Sequence, residues 1–254
     1  MLILLPPSET KRSGGDGPPW RADPVRFGGL SAERERVIDA LVALSADEHA
    51  AARVLKLSER QRPEIAVNAA LRSSPTLPAA DRYIGVLFDA LDAPSLDASA
   101  RQWLASHVAI HSAPFGIVGA LDPLPAYRLG AGIRVPGLPS MRSLWADAVG
   151  AAIAAASPSF VLDLRSEAYV ALGPVPTGIA QAYVRVVSEG PDGAVRALNH
   201  FNKHAKGELV RRLALTRPDA TDTTALMRWA RDEEIVLRPS AVGELELVVP
   251  SITR

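Results

Sequence analysis

The sequence predicts an α+β fold: one compact domain over residues 1–254, with a mixed or antiparallel sheet and flanking helices. Three observations point to it. The chain opens on a short apolar run, two segments that alternate in polarity flank EGPDG, and the stretches between carry apolar residues at helical spacing. With 48% hydrophobic residues, a chain of 254 has ample material for one core. No internal repeat is visible.

Leu2 to Leu5 reads as a short buried strand ended by Pro6-Pro7, and the Gly/Pro-rich stretch Ser13 to Gly29 reads as a loop. Ser31 is placed to cap a helix with Glu33 in its first turn and Val37, Ile38, Leu41, Val42 and Leu44 at helical spacing. Further helices fit Ala50 to Leu57, Ala79 to Leu91 and Leu96 to Ser106. Val108 to Ala113 follows as a strand, Ser140 to Ala156 as a helix carrying Trp145, and Phe160 to Leu164 as another strand. Tyr183 to Ser188 and Ala194 to Asn199 alternate, so they are expected to pair as an antiparallel hairpin. A helix from Asn199 or Asn202 through Leu215, one from Thr221 or Asp222 through Arg231, and a strand at Leu245 to Val249 close the chain.

Composition excludes several functions. The 28 basic and 28 acidic residues cancel, so no overall field steers the molecule to nucleic acid or membrane, and a polyanion site must be a local patch. Without cysteine there are no disulfides, thiolate nucleophiles or cysteine-ligated zinc. MLILL lacks a basic leader and is too short for a signal-peptide core, and no run approaches the roughly eighteen apolar residues of a membrane span. A cytoplasmic protein is expected. Lysine is scarce: only Lys11, Lys56, Lys203 and Lys206, suggesting sites that need a compact ammonium rather than a planar fork.

Phe115 to Arg134, FGIVGALDPLPAYRLGAGIR, reads as a shaped loop. Gly116 and Gly119 permit tight turns and close approach of backbone N–H groups to a ligand, and Tyr127-Arg128 follow. The helix beginning near Phe201 carries Lys203, His204, Lys206, Arg211 and Arg212 with one acid, Glu208. Lys203 and Lys206, three apart, share a face near the helix N-terminus, which suits phosphate. Ser8, Glu9 and Lys11 follow the first strand, and Ser166 is a plausible cap for a segment containing Tyr169. A Ser/Lys pair works in acyl transfer only where the lysine is buried enough to lose its proton. If Val108 to Ala113 is a strand, His107 and His111 lie about 13 Å apart at about 3.3 Å per residue and cannot share a metal, whereas on a helix they could. No metal or cofactor is expected.

MLILLPPSETK, RYIGVLFDAL, PFGIVGALDPLPAYRLGAG, DLRSEAY, FNKHAKG and GELELVV occur in an order that resembles the YaaA family of peroxide-stress proteins. The resemblance implies a fold particular to that family, with a helix-hairpin-helix-like element. It also implies sequence-independent binding of duplex DNA in a basic cleft, in a role linked to limiting intracellular iron and oxidative DNA damage. On this chain the DNA-binding set is Lys11, Gly116, Gly119, Arg128, Lys203, Lys206 and Arg211, with Ser8, Glu9, Tyr127, Ser166 and Tyr169 as further cleft residues. Two departures stand out: Gly119-Ala120 replaces an Arg-Pro pair common in relatives, removing a positive charge, and Ala168 replaces a Glu before the Tyr. The alternative is an enzyme using Ser8, Glu9 and Lys11 with Asp163, Glu167 and Arg128 on a small phosphorylated or carboxylated substrate.

Overall fold

Leu2–Leu5 forms strand β1, and all four side chains are buried because both of its faces are covered. The computed structural model describes residues 1–22, 25–189, 195–197 and 199–250. Between β1 and the next long strand lie helices α1 (Ser31–Leu44), α2 (Glu48–Leu55), α3 (Glu64–Ala69), α4 (Ala79–Arg82), α5 (Val86–Leu91) and α6 (Ala98–His107), with the two-residue strand β2 (Leu77–Pro78). Strands β3 (Val108–Ser112) and β4 (Gly116–Gly119) form a hairpin, and β5 (Pro123–Leu124) pairs with β2. Helix α7 (Met141–Ala155), strand β6 (Val161–Asp163), helix α8 (Glu167–Leu172) and strand β7 (Gln181–Glu189) follow. Strand β8 (Val195–Ala197), helices α9 (Asn199–Thr216) and α10 (Thr223–Asp232), and strands β9 (Leu237–Pro239) and β10 (Glu244–Pro250) complete the order.

The main sheet runs β4-β3-β1-β6-β7-β10-β9, with β8 on β7. Of the expected mixed or antiparallel arrangements the sheet is the mixed one, and mostly parallel: β1 is parallel to β3 and β6, β7 is parallel to β6 and β10, and β4, β8 and β9 join antiparallel. The cause is connectivity. A helix lies between each pair of consecutive parallel strands, returning the chain to the same end of the sheet, and strands covered on both faces read as near-continuous apolar runs. The expected hairpin forms, pairing Val187 with Ala197 and Ser188 with Arg196, while its turn lies outside the described residues. Because β10 occupies one edge of β7, β6 and β8 share the other.

Most predicted helices are present with shifted ends. Ser140 and Asp222 cap α7 and α10 with side-chain bonds, whereas Ser31 begins α1 and bonds back to Gly28. The single helix expected over Ala79 to Leu91 is broken, since Gly85 adopts a φ of 114° between α4 and α5. Neither α3 nor β9 was expected.

Phe115 to Gly119 is no exposed loop. Gly116–Gly119 is an edge strand whose residues are all buried, and it pairs with β3 as a β-hairpin. Gly116 has a φ of 63°, and a Cβ there would lie 2.9 Å from the Trp145 ring. The Gly119 amide donates to Asp122 at 2.7 Å, so it presents nothing to a phosphate.

Helix α9 packs on α5, α6 and β7, and Gly207 is where it comes closest: a Cβ on Gly207 would sit 2.1 Å from the Leu87 carbonyl oxygen. Gly207→Ala is therefore expected to destabilise the fold by about 1–3 kcal/mol, read as a lower urea midpoint. An unchanged midpoint would mean that α9 and α5 separate freely.

Candidate functional site

Strand β1 sits where the sheet changes direction, with the chain passing first to β3 on one side and then to β6 on the other. In open sheets of this kind, ligands bind beyond the carboxyl ends of the strands at such a point. Here that end is Pro6 to Lys11. The loop is stitched to the α4–α5 break, where Arg12 N–H donates to the Arg82 carbonyl at 2.8 Å and Ile84 N–H to Thr10 at 3.2 Å. The buried Arg82 guanidinium braces the underside by donating to the carbonyls of Leu124, Pro75 and Arg12.

A pocket of about 360 Å³ opens there, lined by Ser8, Glu9, Lys11, Tyr127, Arg128 and Tyr169 together with Lys56 and an apolar wall including Leu129 and Ile133. Lys11 Nζ donates to the carbonyls of Ser8 and Glu9, both at 3.0 Å, and lies 4.0 Å from the centre of the Tyr127 ring. Burial pushes its pKa down to about 7, helped by repulsion from Arg128 and opposed by Glu64 and Glu9. Tyr83 and Tyr127 share a 2.7 Å hydroxyl contact beneath it. Burial raises the pKa of both, and of Tyr169, so these phenols stay neutral.

Arg128 is oriented through its backbone. The buried Asn68 side chain accepts from the Arg128 N–H and donates to its carbonyl, both at 2.8 Å. The guanidinium then faces Glu64 at 3.4 Å and Glu9 at 3.7 Å. Two sequence-level omissions are thus Asn68 and Lys56. No motif marks either one, although the scarcity of lysine already singled out Lys56.

Behind the pocket, Arg165 is fully buried and donates to both oxygens of Asp163, at 2.9 and 2.6 Å, to the Gly173 carbonyl at 2.7 Å, and to His111 Nδ1 at 2.9 Å. An arginine cannot accept, so His111 Nδ1 is unprotonated and the proton sits on Nε2. Burial and the Arg165 charge hold the His111 pKa well below its ordinary value. Among the described residues no group of three His, Cys, Asp or Glu is placed to hold a metal.

Six of the expected site residues therefore meet in one pocket: Ser8, Glu9, Lys11, Tyr127, Arg128 and Tyr169. Gly116, Gly119, Ser166, Lys203, Lys206 and Arg211 do not line it. Ser166 is exposed at the start of α8 and makes no side-chain cap bond. Arg211 ties α9 to the end of α5, donating to Leu91, Asp92 and Ser95 at 2.9 Å. Lys203 is exposed, but Lys206, expected beside it on the surface, is only 5% exposed and points at the sheet. Residues three apart on a helix differ by only about 60° around its axis, so the shared face is divided: Lys203 falls on its wet side and Lys206 where α9 meets the sheet.

The profile of the family described as Peroxide stress protein YaaA matches residues 1–234. The chain belongs to the YaaA family of peroxide stress proteins. A UPF0246 protein of Corynebacterium glutamicum is 42% identical over 98% of this chain and 100% of its own length. One from Corynebacterium efficiens is 45% identical over 91% and 92%, and one from Streptomyces coelicolor 39% over 91% and 90%. Among the described residues, no helix is long and apolar enough to cross a membrane.

The lowered pKa of Lys11 carries a stability prediction. The unfolded chain keeps this proton up to the ordinary 10.5 while the folded chain releases it near 7, so Lys11 costs stability below pH 7 and that cost fades between 7 and 10.5. Lys11→Met should stabilise the fold relative to wild type most at about pH 6 and lose that advantage by about pH 10. Urea unfolding of both proteins at the two pH values checks it, and a pH-independent difference would show that Lys11 titrates as in water.

Proposed function

We propose that this YaaA-family protein acts in a cytoplasmic response to peroxide through the Lys11 pocket, which takes a small carboxylated or phosphorylated molecule. Arg128 and Lys56 meet the anion, the wall around Leu129 and Ile133 takes its apolar part, and Lys11 exchanges a proton with it. The observation that carries this reading is the placement of Lys11: a lysine amine that lines, with an arginine, a pocket of about 360 Å³ beyond the carboxyl end of the interior strand β1. Such a volume admits a metabolite and excludes a duplex. A group that changes charge near neutrality is suited to acid–base work.

With only four lysines in the chain, trace acylation followed by peptide mass analysis reads each one separately. Lys11 should label with a midpoint near pH 7, and citrate or inorganic phosphate should slow its labelling. Labelling of Lys11 only in alkali and without protection by either anion would remove this function from the pocket.

The exposed Lys203 and His204 on α9, with Lys56 and Arg128, favour a second reading: sequence-independent binding of duplex DNA, with protection of DNA and a lower iron level as its cellular consequence. Affinity would then fall with salt at a log–log slope of about −0.9 per neutralised phosphate. Lys203→Ala combined with Arg128→Ala should make that slope shallower by about two units on every duplex. A flat salt response in the wild type would discard the DNA reading.

A further inference from the structure

Lys11 is placed to do more than pass a proton. Its amine donates to the carbonyls of Ser8 and Glu9, both at 3.0 Å, and a neutral amine has only two N–H bonds to give. Those two bonds fix the nitrogen and leave its lone pair outside the hydrogen bonds of the loop. Among the described residues no carboxylate lies within ion-pair distance of the amine, and Glu9 and Glu64 instead meet Arg128 at 3.7 and 3.4 Å. When charged, the nitrogen has a third N–H, with the Tyr127 ring centre 4.0 Å away. Burial brings its pKa down to about 7, Arg128 lowers it further, and Glu64 and Glu9 oppose both. At neutral pH about half of the molecules therefore carry a free amine.

Such an amine is a nucleophile. Buried lysines that lose their proton attack carbonyl carbons and form imines. The lining of the pocket selects the carbonyl compound. Arg128 borders the same space, its backbone gripped at N–H and carbonyl by Asn68, both at 2.8 Å. Its ion pairs to Glu9 and Glu64 are longer than a good hydrogen bond, which leaves guanidinium N–H groups for the two oxygens of a carboxylate. Leu129 and Ile133 supply an apolar wall. Tyr169, kept neutral by burial, stands in the same lining as a proton donor.

We propose that Lys11 forms an imine, through Nζ, with the carbonyl of a small 2-oxo acid whose carboxylate is held by Arg128. This rests on the reading of the pocket as one for a carboxylated molecule, and it adds the reacting group. Nζ attacks the carbonyl carbon, the carbonyl π pair moves onto oxygen, and Tyr169 protonates that oxygen. The nitrogen then returns one proton to the phenolate. Loss of the hydroxyl as water, together with the second nitrogen proton, leaves the carbon–nitrogen double bond. Two amine hydrogens and one carbonyl oxygen depart as water, so no oxidant or reductant enters.

Pyruvate and sodium cyanoborohydride, added to the full chain, test it: the reductant fixes an imine as a secondary amine that peptide mass analysis locates. Pyruvate should attach to Lys11 at pH 7 about tenfold or more faster than to the exposed Lys203. The rate at Lys11 should rise with a midpoint near pH 7. Propanal, a carbonyl compound without a carboxylate, is the comparison. Arg128→Met should lower the ratio of pyruvate to propanal attachment at Lys11 by about tenfold, and the ratio cancels the change in Lys11 basicity that this substitution also brings. Attachment at Lys11 no faster than at Lys203, or a ratio unchanged in Arg128→Met, overturns the proposal. Because the first arm uses the unaltered protein, it decides the matter even if Arg128→Met does not fold. Acylation of Lys11 near pH 7 that citrate slows, without any trapping of pyruvate there, discards the imine and leaves the pocket as a site of binding and proton exchange.

Discussion

Arg165 touches no solvent, and its donors bind four things that the chain must bring together: both carboxylate oxygens of Asp163 at the end of β6, His111 on β3, and the carbonyl of Gly173 just after α8. Strand β1 lies between β3 and β6, so this one guanidinium spans it and fixes the edge from which the Ser8–Lys11 loop emerges. A buried ion pair of this sort adds little net stability against an apolar replacement, but removing one partner alone strands a charge and costs about 3–5 kcal/mol. Its value lies in geometry. Gly173 fits against it because a Cβ there would sit 2.5 Å from Val149 and 3.0 Å from His111.

The same use of arginine recurs. Arg34 donates to the carbonyls of Phe115, Ile117 and Arg26, and Arg82 to those of Leu124, Pro75 and Arg12. These guanidiniums donate to carbonyls of loops and of the short strands β4 and β5. An arginine-rich composition therefore overstates the charge available to a polyanion, since several of the most basic groups face inward. The lysines divide differently. Lys56 and Lys203 are exposed, while Lys11 and Lys206 are withdrawn from water beside tyrosine rings.

Much of the fold was legible. Leu2 to Leu5, Val108 to Ala113 and Phe160 to Leu164 were read as strands from their apolar runs, and Ser140 marked the start of α7. Their largely apolar character, unbroken in Leu2 to Leu5, also signals two covered faces, and so a parallel sheet, which the alternation around EGPDG obscured. Gly116 and Gly119 misled because glycine serves equally for a phosphate turn and for a strand pressed against a tryptophan; Ile117 and Val118 between them were the discriminating sign. Lys206 was beyond reach, since whether a helical lysine faces water depends on which face its neighbours cover, and α9 is enclosed by α5, α6 and β7. At the site, Ser8, Glu9, Lys11, Tyr127, Arg128 and Tyr169 were named from the sequence and do meet. Asn68 was not, because a side chain that grips a backbone sixty residues away leaves no pattern.

The position of β1 also governs the order in which the molecule can assemble. It is an interior strand of the sheet, yet Ile3 needs Val108 and Leu2 needs Val161 before its edges are paired. Until those partners are made, LILL is an apolar strand with two open edges, the kind of segment that recruits copies of itself. Pro6 and Pro7 stand directly after it. With no N–H to offer a neighbouring strand, they end any such pairing at four residues, so the turn that later shapes the pocket also guards the nascent chain.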